Sequence, residues 1–183
     1  MRGLGLDYQR TPVADGAGFE RLPAGGYVCR IISATDHDEE KPYLEIVYDI
    51  AEGEHAGYYS DDWGKKNLWA HSDRWYYTPN SYGVFKGRLR AVDKSNDTSF
   101  ETNAQTGIDE RRLAGCLVGM ILGEEEYESN QGDIRTRLRV RSVHPVSVIR
   151  EGKYKQPELK KLKEEDPIIL SKPDNANADD FPF

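Results

Sequence analysis

Apolar and polar residues alternate in five stretches of this chain, and at one place the alternation gives way to a helical period. Tyr27, Cys29 and Ile31 share one face of a stretch running from Tyr27 to Ala34, just after the turn Leu22-Pro-Ala-Gly-Gly26. Leu44, Ile46, Tyr48 and Ile50 do the same between residues 43 and 50, a half-buried strand. Glu52-Gly-Glu-His-Ala-Gly57 reads as a turn into a short third strand, Tyr58 to Trp63. Tyr82, Phe85, Leu89 and Val92 then recur at spacings of three and four, one apolar face of a helix that Asn80 or Ser81 would cap. A polar loop from Asp93 to Gly107 and a turn at 109–112 lead to an apolar strand, Leu113 to Leu122. Its Gly115, Gly119 and Gly123 suggest a bent, closely packed run. After the hairpin turn Asn130-Gln-Gly-Asp133 comes the last strand, Ile134 to Val143. Three strands, a helix and two strands is the order of the five-stranded OB barrel, so the expected class is all-β with one helix between strands 3 and 4.

Composition sets the limits around that barrel. A length of 183 residues suits one domain with appended segments. The expected division is an N-terminal arm over 1–21, the barrel domain over 22–163 and a flexible acidic tail over 164–183. From Leu159 the sequence reads as linker. No apolar run reaches spanning length and the N-terminal residues carry no secretory pattern, so the expected location is cytoplasmic, in a bacterial host. Cys29 and Cys116 each sit in apolar sequence and read as core thiols. The net charge of −7 argues against a polyanionic ligand until its distribution is considered. Six acids against Lys172 fall between Glu164 and Phe183, leaving a near-neutral body whose cations are clustered.

Two clusters carry candidate chemistry. Arg135, Arg137, Arg139 and Arg141 alternate with Thr136, Leu138, Val140 and Ser142, which puts four guanidiniums on one face of the last strand at about 7 Å intervals. Such a stripe can grip phosphates. The plainer reading is a solvated face paired with Glu124 to Glu128 across the hairpin. The second cluster is the insertion 64–79. With Trp63 it brings Lys65, Lys66, Trp69, Arg74, Trp75, Tyr76 and Tyr77 together, exposed rings among cations on which bases could stack. The alternative is that Trp63, Trp69 and Trp75 form a satellite core. His37, His55, His71 and His144 are scattered without metal-ligand spacing, Asp61-Asp62 is a weak cation candidate, and Gly64-Lys65-Lys66 lacks the rest of a phosphate-binding loop. No enzyme, metal or cofactor is expected.

The chain ends Asp179-Asp180-Phe181-Pro182-Phe183, an acidic, aromatic hook that Pro182 keeps extended. It resembles the tip of bacterial single-stranded DNA-binding proteins, acidic residues followed by Ile-Pro-Phe, which recruits replication and repair enzymes; Phe181 stands where they have isoleucine. The body resembles the phage-encoded single-stranded DNA-binding proteins. The resemblance rests on Leu22-Pro-Ala-Gly-Gly-Tyr27, Tyr43 to Tyr58, Phe85-Lys-Gly with Glu101, Leu122-Gly-Glu-Glu-Glu-Tyr127, Arg135-Thr-Arg-Leu138 and Pro157-Glu-Leu-Lys-Lys-Leu162, in that order. It implies an OB-like fold and a DNA-coating role in phage or prophage replication or recombination. Single-stranded DNA is then the main partner, replication or recombination proteins bind the tail, and a homo-oligomer is left open. The rival expectation is a phage adaptor or inhibitor that binds a protein and not nucleic acid. A metal nuclease using Asp61 and Asp62 has the least support.

Overall fold

The computed structural model describes residues 21–129 and 131–162; the arm before Arg21 and the tail with its tip lie outside them. Five antiparallel strands form one sheet in the order β3-β2-β1-β4-β5: β1 Gly25–His37, β2 Tyr43–Ile50, β3 Ser72–Tyr76, β4 Leu117–Glu128 and β5 Ile134–His144. The helices are short except α2: α1 Asp62–Lys66, α2 Tyr82–Asn96, α3 Phe100–Asn103 and α4 Val146–Arg150.

Strand β1 is longer than its alternation predicts and takes the first three residues of the expected loop 35–42. A bulge makes this possible. The register slips between Ile31 and Ser33, so Cys29, Ile31 and Ala34 all face the core although the last two are three residues apart, and Ile32 is turned to solvent. The first half of β1 pairs with β4 and the second with β2. Opposite β1, Leu44, Ile46, Tyr48 and Ile50 fill the core from β2 while Val118, Met120 and Leu122 fill it from β4.

The expected third strand is not where the alternation put it. Residues 58–60 are turn. Asp61 then accepts from the Gly64 N–H at 2.7 Å and caps α1, so the chain leaves the sheet just where Tyr58 to Trp63 was expected to join it. A Cβ at Gly64 would collide with the Tyr59 carbonyl, so this tight return needs glycine. The real β3 lies inside the predicted insertion, because Trp75 carries enough apolar surface to anchor a strand opposite Leu44.

Helix α2 closes the core with Leu89, Ala91 and Val92, and Phe85 packs at its edge. Tyr82 is 53% exposed and stands outside that face. Ser81 holds the N-cap position without a side-chain cap bond. At the other end the Asn96 amide pairs with the Leu117 backbone, donating to the carbonyl and accepting from the N–H, both at 2.8 Å. That contact sets the start of β4 at Leu117, and Leu113 lies in the preceding turn.

The segment expected to be linker is partly docked. After α4 the chain crosses the sheet face opposite the core as a strap, with Tyr154 over Gly26 and Pro157 over Gly123. Lys160 then joins β4 in parallel: its N–H donates to Glu124 and its carbonyl accepts from Glu126, both at 2.9 Å. The Leu162 N–H adds a bond to the Glu126 carboxylate at 3.0 Å.

Candidate nucleic-acid interface

The four arginines do share a face, and a second bulge keeps the last of them there. Arg139, Arg137 and Arg135 stand opposite Gly123, Glu125 and Tyr127, on the side of the sheet away from the core. The register slips between Ile121 and Leu122, which leaves Arg141 as the extra residue. Its side chain folds over Gly123 and donates to the Glu124 carbonyl at 2.7 Å.

Pairing across the hairpin is real but incomplete. Of the acids between Glu124 and Glu128, Glu125 alone meets the stripe as an ion pair among the described residues. Its carboxylate lies 2.8 Å from Arg137, 3.6 Å from Arg139, 3.7 Å from Arg141 and 3.8 Å from Lys160 of the strap. Arg135 has Asp133 at 3.4 Å, an exposed and weak pair. As ion pairs, five cations therefore share two carboxylates, three more positive than negative groups among those paired. Burial alone would raise the Glu125 carboxyl. The hydrogen bond from Arg137, with the nearby charges of Arg137, Lys160 and Arg139, outweighs it and holds the group below its ordinary value. Arg137 also lies 4.8 Å from the centre of the Tyr127 ring, a cation–π contact.

The aromatic cluster divides. Trp63 and Trp69, 48% and 69% exposed, meet edge to face at 6.2 Å on α1 and the turn after it, beside exposed Lys65, Lys66 and Leu68. Both rings are exposed beside these cations, and Trp69 Nε1 donates to the Asn67 side chain at 3.2 Å. By contrast, Trp75 is fully buried, donates to Asp73 at 3.0 Å and has Arg88 over its ring, so it offers no face to a base. Tyr77 is half-buried, bonded to Asp36 at 2.6 Å and packed on Phe85. Burial and the Asp36 carboxylate push its hydroxyl far above the ordinary tyrosine value. Arg74 and Tyr76 are exposed but stand at the other end of β3, opposite Glu45 and Tyr43, with the Arg74 guanidinium 5.0 Å from the Tyr43 ring centre. His37 stacks on that Tyr43 at 4.6 Å, beside the acidic turn Asp38-Glu39-Glu40. The expected site thus loses Trp75 and Tyr77 to packing, and Arg74 and Tyr76 to an acidic neighbourhood.

Trp63, Trp69 and the arginine stripe belong to the same end of the sheet. β2 ends beside the start of β1 and leads into α1, while the β4–β5 hairpin extends beyond that start. Beneath α1, His71, stacked on Tyr59 at 4.5 Å, sits between the carbonyls of Tyr48 and Gly64. His71 is therefore a packing group, not a scattered loop histidine. Asp61 is spent on its cap, and no cluster of three metal-ligating side chains occurs among the described residues. Cys29 is a core thiol, pushed up by burial, whereas Cys116 is only half-buried.

Sequence reasoning missed Lys160, whose linker-like context hid it, and it treated Glu124 to Glu128 as equivalent. Counting outward from the hairpin turn would have singled out Glu125 as the acid facing Arg137. No family model matches the chain, and no curated protein is similar enough to count as a relative. Among the described residues no helix is long and apolar enough to cross a membrane.

Proposed function

We propose that this protein binds and coats single-stranded DNA without catalysing a reaction on it, in the replication or recombination of a phage or prophage in the cytoplasm of its host. One observation carries the reading: a chain with a net charge of −7 presents, on one sheet face, four arginines and a lysine that share one carboxylate among most of them. Phosphates would follow Arg135 to Arg141, and bases would stack on Trp63 and Trp69, at about 1–3 kcal/mol per base. The strand order, with α2 between β3 and β4, supports an OB-like barrel, though β3 and β5 are not paired among the described residues. The tip Asp179 to Phe183 would recruit a replication or recombination enzyme, and the acidic tail, leaving the body beside the stripe, would compete weakly with DNA.

Titration with homopolymer single strands, read by tryptophan fluorescence, tests this. Quenching by single strands that duplex competitor does not reverse is the expected result. Trp75 is buried, so the quenched signal must come from Trp63 and Trp69. Absence of quenching together with absence of binding by anisotropy refutes it. Removing residues 174–183 should preserve or tighten DNA binding while abolishing capture of the partner enzyme.

A further inference from the structure

Glu125 occupies the place where a stripe meant only to attract phosphate should have no acid. Its side chain is 15% exposed, and cations from two separate parts of the chain converge on it. Oε1 accepts from Arg137 Nε at 2.9 Å and lies 3.6 Å from Arg139 Nε; Oε2 lies 3.7 Å from Arg141 and 3.8 Å from Lys160. Each guanidinium carries five donor hydrogens, so one shared carboxylate leaves every arginine with donors to spare. Arg137, Arg139 and Arg141 remain 42%, 44% and 24% exposed with those donors available.

We propose that Glu125 is a positioning residue for DNA, holding Arg137, Arg139, Arg141 and Lys160 as a fixed comb whose outer edges meet consecutive phosphates. Without it, like charges on neighbouring strand positions repel one another and long side chains regain their rotamers, freedom that binding must then remove. Arg137 is also held on the Tyr127 ring, Arg141 on the Glu124 carbonyl and Lys160 by its backbone bonds to β4, while Arg139 depends on Glu125 most heavily. Backbone bonds to β4 bring Lys160 to this carboxylate, which makes the strap part of the DNA surface.

The inference rests on the DNA reading and turns on the sign of one effect. E125Q makes the face one charge more positive. If Glu125 merely competes with phosphate, E125Q binds DNA tighter and with a steeper salt dependence. If Glu125 positions the comb, E125Q binds weaker, by about tenfold, despite the extra charge, and E125D restores most of the loss. The probe is fluorescein-labelled oligo-dT, followed by anisotropy with the full chain at several salt concentrations. The Nε–H resonances of Arg137, Arg139 and Arg141 supply a second readout, sharp in the wild type and broadened in E125Q. Equal or tighter binding by folded E125Q, or unchanged arginine resonances, overturns the inference while leaving DNA binding intact. A wild-type protein that binds no oligo-dT overturns the DNA reading first, and the inference with it.

Discussion

Replacing Arg137 and Arg139 with alanine should change how DNA binding responds to salt more than any other pair of surface substitutions. The three cations left over when the ion-paired groups of the stripe are counted set the expectation. Each neutralised phosphate of a single strand contributes about −0.7 to the slope of log K against log salt, so the wild type should show about −2.1. Raising salt from about 50 to 200 mM then weakens binding about 20-fold. The double variant retains one surplus charge, a slope of about −0.7 and a loss of about threefold over the same range. Anisotropy of a labelled oligo-dT in a salt series measures both slopes. R111A is the control, because Arg111 is paired with Asp109 at 2.9 Å in a loop away from the stripe and should leave the slope unchanged. Both side chains of the double variant are well exposed, so the fold should survive their loss. An R137A/R139A protein with the wild-type slope would show that the phosphates lie elsewhere.

Trp69 and Trp75 should behave as opposites. W69A should cost DNA affinity by about 1–3 kcal/mol with an unchanged urea midpoint, whereas W75A should cost about 3–5 kcal/mol of stability, read by urea denaturation. G64A should lower stability and perturb the fluorescence of Trp63 and Trp69, since the added methyl must push against the Tyr59 carbonyl. Glu125, held below its ordinary value, binds more protons unfolded than folded as the medium is acidified. Its contribution is present above the ordinary carboxylate value and is lost as pH falls through the depressed one. Urea midpoints of the wild type should therefore fall more steeply through that window than those of E125Q, and parallel curves would show that the network does not support the fold.

Alternation made most of the sheet legible. It located β2 and β5 almost to the residue, and it put the four arginines on one face. It failed where the period is locally broken. The bulge at Ile32 hides the length of β1, because Ile31 and Ala34 fit no two-residue repeat yet both face the core. Trp75 misleads for a related reason: a tryptophan between an arginine and two tyrosines looks exposed in sequence, and only its pairing with Leu44 shows that it anchors an edge strand. Asp61 shows the converse, since one capping bond turned an apparent strand into a helix start. Lys160 could not be read at all, because its role comes from a parallel bridge formed 35 residues beyond its partner Glu125.

An acidic chain that is to hold a polyanion must keep its negative charges away from the site, and several acids of the described residues are paired elsewhere. Fields between exposed charges fade within about 8 Å at physiological salt, so the sign of the nearest neighbours matters more than the sum over 183 residues. Glu45 faces His37 at 3.4 Å, Asp36 accepts from Tyr77, Asp73 is taken by Arg88 and Trp75, and Glu101 by Arg90 and Lys86. Each acid is occupied within its own neighbourhood. Glu126 points its carboxylate to the Leu162 N–H and Glu124 gives its carbonyl to the strap, so the acid-rich end of β4 serves as a dock for the chain while Glu125 alone turns to the arginines. The run Glu124 to Glu128 thus performs two tasks through the alternation of one strand. Glu124 and Glu126 bind the strap that brings Lys160 in, and Glu125 gathers the cations that the strap completes.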